Sequence, residues 1–463
     1  MKDSNLDFAD GTTRSESDLG IGTSPALAAL LIGTFVGTVS NNIVNVPLNA
    51  ILREYDASLG SGIFVVVGFL LTFAAAMPLA GWVGDRFGRR RVYCGALLGT
   101  AVCSLGAALA PSLPILVAWR SLGGIAAAAF APAVMGLIAW LFGPARRGRA
   151  VGAWAAVNGI GQAMGPSMGG VISDWWGWRW TFVPLIPIAV IGYAATMKWI
   201  PKYPGRKMTL DGWAAAALTV GAAVVFLGIT AIPQESVPLW ASAAVLTLGL
   251  ALLVFFVFRT RRSANPFVPI HLILESRFLR SSLAAFVQMF ALGSMLLAVP
   301  LYLTGAGAST SKAGLLLFVL PVTMTVAATV VGRVIDRVGP RIIMRSGLIV
   351  LVCSQIGLAA LLRPSWELPD AALAAILVLA GLGIAMVQTP AAAGSTRSPA
   401  GAVGTGLGVF NLIRFGGSAV GAAWVGIALH AGASSYVLLF GVAAVVVSAG
   451  FASSFAGSNP VES

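Results

Sequence analysis

The chain has 463 residues, of which 58% are hydrophobic and 10% are charged, and its mean hydropathy is +0.90. This composition lies far outside the range of soluble globular proteins and excludes that class. The formal net charge of +13 does not indicate a nucleic-acid partner, because the basic residues are spread over short loops rather than gathered in one soluble domain.

Fourteen apolar runs are long enough to cross a bilayer, since a spanning helix needs about 20 mostly apolar residues. They lie at about 24–51, 62–83, 92–110, 114–141, 150–173, 181–200, 210–232, 238–258, 280–303, 313–335, 342–362, 370–393, 402–429 and 434–456. Only helices and closed barrels satisfy their own backbone hydrogen bonds in lipid, and runs this long exclude a barrel. The sequence predicts an all-α integral membrane protein with 14 transmembrane helices.

The segment before the first span, residues 1–22, is polar and lacks the apolar core of a signal peptide, so we expect a disordered cytoplasmic tail. Most basic residues fall in the loops after even-numbered spans, which the positive-inside rule assigns to the cytoplasm. Both termini are therefore expected to be cytoplasmic. The excess of Arg over Lys is typical of a GC-rich bacterial genome, so the expected location is a bacterial plasma (inner) membrane.

The first span carries an uncharged polar stripe. At 100° per residue, six side chains fall within one sector of about 100°: Thr34, Thr38, Asn41, Asn42, Asn45 and Asn49. Such a stripe is unfavourable against lipid and is expected to face the interior of the helix bundle. Hydrogen bonding between helices is one interpretation; the favoured one is a water-filled substrate cavity.

An internal repeat follows the second and tenth spans. The segments 81–91 and 332–341 share the pattern G-x-x-x-D-R-x-G-x-R, eight spans apart. Parallel repeats of this kind are typical of transporters that bind substrate between two halves near the membrane midplane. The predicted units are two six-helix bundles at 23–200 and 279–456, two inserted helices at 201–262, a cytoplasmic loop at 263–278 and a cytoplasmic tail at 457–463.

Further polar residues lie within the spans and are candidates for the same cavity. They are Arg120, Asn158, Gln162, Gln288, Gln388, Asn411 and Arg414. Ionisable groups within a membrane are functional by default, so the two arginines rank first. Either arginine could instead hold backbone carbonyls of a neighbouring helix.

Several motifs, in order along nearly the whole chain, resemble those of the major facilitator superfamily, and the layout resembles its fourteen-helix drug:proton antiporter family. The segment 81–91 looks like motif A, and 120–128 with Pro132 looks like motif B, although Gly123 stands where Gln is usual. The run 161–170 resembles the antiporter motif C, followed by Gly177-Trp-Arg-Trp-Thr-Phe182. Phe410–Gly416 is similar to the Asn/Arg segment of the thirteenth helix. The resemblance implies the major facilitator fold and multidrug efflux by alternating access.

Each motif also has a physical interpretation. The candidate gating residues of motif A and its repeat are Gly81, Asp85, Arg86, Gly88, Arg89, Arg90, Asp336 and Arg337. Asp85 can accept hydrogen bonds from a helix N-terminus or from an arginine. The alternative interpretation is that the arginines only set the membrane topology. The motif C residues are Gly161, Gly165, Pro166, Gly169 and Gly170; the glycines allow close helix packing and the proline a kink.

None of the sixteen acidic residues lies in the middle of a span. The antiporter family usually places an acid in the first helix, where this chain has Ser40. Proton coupling needs a group that titrates within the pathway. Proton antiport remains the expectation from the resemblance, through Asp211 or Asp174; a facilitator, or an exporter of anionic or neutral metabolites, is the alternative.

An enzyme is not expected, because no span offers paired acids, a His/Asp cluster or a nucleophile beside a base. A non-transporting membrane sensor with the same fold is a further alternative. The expected partners are a small-molecule substrate, protons as a coupling ion and the lipid bilayer, without nucleic acid. We expect no cofactor, no metal site and a monomer.

Overall fold

The computed structural model describes residues 23–142, 144–202, 205, 211–232, 237–263, 266, 268, 270–362, 369–398, 404–430 and 435–455. The predicted tails at 1–22 and 457–463 lie outside the described residues. The described part of the chain is almost entirely helical.

The helices of the first half precede a short connection at residues 200–211. They are α1 Thr23–Asn42, α2 Leu48–Glu54, α3 Leu59–Gly62, α4 Phe64–Phe87, α5 Arg89–Ala108, α6 Leu113–Ala127, α7 Phe130–Leu141, α8 Pro144–Trp176 and α9 Leu185–Trp199, with a 3₁₀ turn at Trp178–Thr181. The remaining helices are α10 Gly212–Ala231, α11 Leu239–Arg262, α12 Ile270–Ile273, α13 Ser276–Gly305, α14 Thr310–Val338, α15 Pro340–Leu361, α16 Asp370–Arg397, α17 Gly404–His430 and α18 Ser435–Ser453.

Twelve helical segments of the described chain are long and apolar enough to cross a membrane. The other two predicted spans correspond to α1 and α8, which are 20 and 33 residues long and carry the polar stripe and the glycine motif. The structure is therefore an all-α, multi-pass membrane protein, and its helices are compatible with 14 crossings.

The internal repeat extends to helix packing. In the first half, α1 packs against α8 and α9, while α6 contacts α4 and α5. In the second half, eight spans later, α13 packs against α17 and α18, while α16 contacts α14 and α15. The two halves meet along two seams, α4 with α17 and α8 with α14. The chain thus has the two-bundle architecture that the sequence motifs imply.

The inserted helices α10 and α11 pair with each other and lie beside one seam. Helix α10 contacts α4 in the first half and α17 in the second. Leu218 belongs to an apolar cluster that also contains Ala74 of α4 and Val409 of α17. Most of α11 is exposed on the outer surface of the bundle, where lipid would surround it.

The prediction of one continuous helix over 24–51 is wrong. Helix α1 ends at Asn42, a turn covers residues 43–47, and α2 begins at Leu48. Pro47 has no N–H to donate and disfavours helical geometry at the residue before it. The N–H of Asn45 bonds to the carbonyl of Asn42, three residues earlier, at 3.2 Å, as in a β-turn. The polar stripe is therefore interrupted after Asn42.

The fourth predicted span is also interrupted, between Ala127 and Phe130. Pro132 lies at the start of α7, and proline cannot bond to the carbonyl four residues earlier, which is that of Ala128. The first and fourth predicted spans are therefore each built from two shorter helices.

One end of the bundle, which we call the distal end, contains residues 43–63, 109–113, 177–181 and 305–312. There Glu54 accepts hydrogen bonds from Trp178 and Arg179, and the Tyr55 hydroxyl donates to the Ala110 carbonyl at 2.8 Å. Partial burial would raise the pKa of Glu54, but the bonds from Arg179 and Trp178 outweigh it and the pKa is lowered. These contacts join three loops of the first half.

At the opposite, proximal end the two copies of motif A make the same turn. Gly88 joins α4 to α5 with φ +95°, and Gly339 joins α14 to α15 with φ +91°. Residues that carry a side chain rarely adopt this left-handed backbone geometry, which explains a glycine at both positions. The repeat detected in the sequence is thus a repeated structural element.

Candidate functional site

A cavity lies between the two halves, lined by helices α1, α4, α7, α8, α13 and α17. Its polar lining is uncharged and consists of Thr34, Thr38, Asn41, Asn42, Asn158, Gln162 and Ser418. Its aromatic lining consists of Phe73, Phe130, Trp154 and Phe415, with Met289, Leu292 and Leu296 opposite. The cavity is narrow: a sphere the size of a water molecule can place its centre in about 50 Å³ of it. The arrangement suits a molecule with an apolar body and hydrogen-bonding groups.

Six of the predicted cavity residues lie in this lining: Thr34, Thr38, Asn41, Asn42, Asn158 and Gln162. Within the lining the Thr38 hydroxyl donates to the Thr34 carbonyl at 2.9 Å, and Gln162 donates to Asn158 at 2.5 Å. Asn41 is different, because its Oδ1 is buried without a hydrogen-bond partner among the described residues. That oxygen is an available acceptor at the cavity wall.

The two later asparagines of the stripe lie elsewhere. Asn45 is buried in the turn between α1 and α2, outside the lining. Asn49 donates to the hydroxyl of Thr304 on α13, in the other half of the molecule. The helical arithmetic placed both on the same sector as Asn41 because it assumed an unbroken helix.

Arg120 is buried beside the break in α1 rather than in the cavity lining. Its Nε donates to the Val65 carbonyl at 3.1 Å and its Nη1 to the Ser40 carbonyl at 2.8 Å. The guanidinium also lies 4.4 Å from the ring centroid of Phe69. The structure therefore favours the carbonyl-holding interpretation for this arginine.

Arg414 on α17 has a different environment. It is buried, its Cζ lies 4.8 Å from the ring centroid of Phe415, and its Nη2 has no hydrogen-bond partner among the described residues. Gln288 is fully buried with both side-chain polar atoms unpartnered in the described chain. Gln388 and Asn411 are half-buried. None of these four belongs to the cavity lining.

In motif A, Asp85 pairs with Arg89 of the same half, with Oδ1 2.6 Å from Nη2 and 2.8 Å from Nε. Arg89 also reaches the Pro132 carbonyl at 3.4 Å, and Arg90 donates to the Met197 carbonyl at 2.8 Å. Of the two partners expected for Asp85, the structure shows the arginine. The other expected partner, a helix N-terminus, stays a prediction, and residues 401–403, which precede α17, lie outside the described residues.

The other motif A positions are at the surface or in the helix interior. Gly81 is buried within α4, while Arg86 and Arg337 are exposed. The side chain of Asp336 lies outside the described part of the structure. A gating role for these residues stays a prediction.

The motif C glycines of α8 face α1. A methyl group on Gly161 would collide with the Thr38 hydroxyl, on Gly165 with Asn42, and on Gly169 with the backbone carbonyl of Ile43. On Gly170 it would instead collide with the Thr310 carbonyl of the other half. Pro166 lies within α8, and its carbonyl is close to Gly314 of α14. The motif thus brings α8 against both α1 and α14.

Contacts between the halves are found at the distal end. The Asp174 carboxylate accepts the backbone N–H of Ser311 at 2.7 Å, near the start of α14. One turn deeper, the Ser167 hydroxyl donates to the Gly314 carbonyl at 3.1 Å. Together with Asn49 and Thr304, these contacts hold the distal ends of the halves together.

The sequence did not identify the aromatic wall or Ser418. Phe73, Phe130, Trp154 and Phe415 resemble any apolar residue of a membrane helix, so no local signal separates them. Ser418 could have been found, because it lies one turn beyond Arg414 on the same face of α17.

Comparisons with known proteins agree with this architecture. Residues 30–422 match the family model of the Major Facilitator Superfamily. The chain is 30% identical over 421 residues to the multidrug resistance protein Stp of Mycobacterium tuberculosis, covering 88% of this chain and 75% of that protein. It is 29% identical to the methylenomycin A resistance protein of Streptomyces coelicolor, covering 87% and 85%.

Solved structures share the fold at low identity. A partially occluded inward-open xylose transporter XylE from E. coli has a TM-score of 0.66 and 15% identity, covering 94% of this chain and 99% of that one. A peptide transporter POT has a TM-score of 0.70 and 14% identity, covering 95% and 98%. At these identities the likeness concerns the fold alone.

Proposed function

Because the chain belongs to the major facilitator superfamily, we propose that it is an efflux transporter of small, drug-like molecules that works by alternating access. Relatives named as multidrug, methylenomycin A and puromycin resistance proteins support efflux. The family and the names of these relatives support a transporter role over an enzyme or a sensor. The proposed location is a bacterial plasma membrane, with both termini and the proximal end in the cytoplasm.

The observation that carries the proposal is the uncharged polar and aromatic cavity between the halves. Its lining comes from both halves, with Asn41 and Gln162 in the first and Phe415 and Ser418 in the second. A relative movement of the halves would therefore change the site's access. We assign the first half to 23–200, the inserted pair to 201–262, and the second half to 279–456.

We expect Asn41→Leu to lower transport about fivefold or more while leaving membrane insertion unchanged. The substitution removes an unpartnered acceptor from a residue of the cavity lining, and hydrogen bonds of this type contribute about 1 kcal/mol or more. Accumulation of a panel of charged and neutral antimicrobial compounds in an efflux-deficient bacterium measures transport. Thr100→Val is the matched control, since Thr100 is a buried polar residue of α5 outside the cavity lining. Equal transport by Asn41→Leu and the control would show that the cavity does not take part in transport.

Asp174→Asn is expected to shift the population towards a distal-open conformation. The carboxylate of Asp174 bonds to a backbone N–H in the first turn of α14, where a negative charge is stabilised by about 0.3–1 kcal/mol through the helix dipole. Spin labels at the exposed positions Trp176 and Ala306 report the distance between the halves. Asp370→Asn is the control, because Asp370 pairs with Lys312 within the second half. If both variants give the wild-type distance distribution, Asp174 does not stabilise distal closure.

Proton antiport is the proposed coupling, on the basis of the family resemblance. The cavity lining contains no acidic residue among those described, and Asp211 instead caps α10 and pairs with Arg259 at 3.2 Å. This observation favours an uncoupled facilitator as the second candidate. A protonophore separates the two: it abolishes extrusion by an antiporter and leaves equilibration by a facilitator unchanged.

A further inference from the structure

Arg414 is a buried cation for which the protein supplies no counter-charge. Its side chain is 7% exposed, and no ion pair or hydrogen bond to another described residue accompanies its contact with Phe415. Removing a guanidinium from water is unfavourable unless a hydrogen-bonding partner replaces the water. By contrast, Arg120 donates to two backbone carbonyls. Arg120 thus uses its Nε and Nη1 to hold two carbonyls and leaves Nη2 without a partner, whereas Arg414 donates to no described residue.

The position of Arg414 relates it to the cavity. Residues four apart on a helix are neighbours on one face, so Arg414 lies one turn, about 5.4 Å, from Ser418, which lines the cavity. The adjacent residue Phe415 is also in the lining, and the Arg414 guanidinium lies against its ring. The cation is thus placed immediately behind one wall of the cavity, on its proximal side.

The rest of the cavity has a complementary chemistry. In the first half, Asn41 presents an unpartnered buried oxygen that can accept a hydrogen bond. The lining also holds the rings of Phe73 and Phe415, whose centroids are 4.9 Å apart in an edge-to-face contact. The site therefore combines a hydrogen-bond acceptor in the first half, aromatic rings from both halves and a cation in the second half.

We propose that Arg414 binds the carboxylate of the transported molecule, and that the substrates are amphipathic monocarboxylates with a flat apolar body. This inference rests on the proposed transport function and specifies its substrate class. A guanidinium matches a carboxylate through two parallel N–H···O bonds. One buried cation beside an uncharged cavity lining neutralises one negative charge, so dianions and cations are disfavoured.

Binding to the purified full-length protein tests the inference, with three naphthalene probes of one shape. The probes are 1-naphthaleneacetate, its neutral amide and 1-naphthylmethylammonium, measured by calorimetry at pH 7. Charged hydrogen bonds of this kind change affinity by about tenfold or more. The wild type should bind the acid at least about tenfold more tightly than the amide, and the ammonium most weakly. Arg414→Gln should abolish this preference, and Arg414→Lys should retain part of it.

Arg345→Gln is the matched control, because Arg345 bonds to the Ser454 carbonyl at 3.2 Å, away from the cavity lining; its preference should equal that of the wild type. The inference is overturned if the wild-type protein does not bind the acid, or binds it no better than the amide. It is also overturned if Arg414→Gln keeps the preference. If Arg414→Gln does not fold, the affinities of the wild type and of Arg414→Lys for the three probes still test the inference.

The transport assay separates this inference from the proposed function. Extrusion of neutral or cationic compounds, with carboxylates excluded, would leave the efflux function standing and overturn the role of Arg414. Arg414-dependent binding of the acid with no movement of any compound across the membrane would support the binding site and overturn the efflux function.

Discussion

Arg120→Gln is expected to destabilise the fold by about 3 kcal/mol and to abolish transport. Hydrogen bonds from a charged donor contribute about 1.5–3 kcal/mol each, and Arg120 makes two, to the carbonyls of Ser40 and Val65. The Ser40 carbonyl is in the last turn of α1, where backbone acceptors have no partner within the helix. The arginine thus caps the C-terminus of α1 and holds it against α4.

Thermal unfolding of the detergent-purified protein measures this effect. Glutamine is too short to reach both carbonyls, and Arg120→Lys should recover little stability because an ammonium lacks the planar fork. Arg414→Gln is the matched control: its guanidinium has no hydrogen bond to a described residue, so its loss should not lower the free energy of unfolding. Equal melting temperatures for Arg120→Gln and the wild type would show that the two carbonyl bonds do not stabilise the fold.

Gly169→Ala is expected to lower transport more than tenfold and to destabilise the protein by about 3 kcal/mol, the upper part of the range for overpacking. A methyl group at this position would collide with the backbone carbonyl of Ile43, in the turn that follows α1. A backbone atom cannot move aside as a flexible side chain can, so α8 and α1 would have to separate.

A series of glycine substitutions tests this steric argument. Gly165→Ala should have a smaller effect, since its methyl group would lie 2.9 Å from the Asn42 side chain. Gly95→Ala on α5 should behave as the wild type, because nothing lies within 4 Å of its added carbon. Stability and transport measured on all three variants should follow this order. Indistinguishable behaviour of Gly169→Ala and Gly95→Ala would exclude close packing at Gly169 as the reason for the motif.

Much of the fold could be predicted from local patterns. Apolar runs of spanning length and the repeated motif A predicted a two-bundle membrane protein, and the structure and family match confirm it. The break at Asn42 was missed because a helical wheel assumes an unbroken helix. Pro47 was the local signal against that assumption.

The candidate site was predictable only in part. The stripe from Thr38 to Asn42 was visible because polar residues are rare in membrane helices. The separate environments of Arg120 and Arg414 were not visible, because their neighbours lie far away in the sequence: Arg120 bonds to Ser40 and Val65, while Arg414 finds no such carbonyls. Only the packed structure distinguishes an arginine that caps a helix from one that donates to no described residue.

The placement of α10 makes the two seams unequal. Helix α10 covers the α4–α17 seam by contacting both of its members, and no helix of the inserted pair has a corresponding contact with the α8–α14 seam among the described helices. An apolar molecule dissolved in the bilayer would meet a third helix at the first seam and only two at the second. The inserted pair therefore shields the α4–α17 seam from the surrounding lipid and leaves the α8–α14 seam to its own close packing.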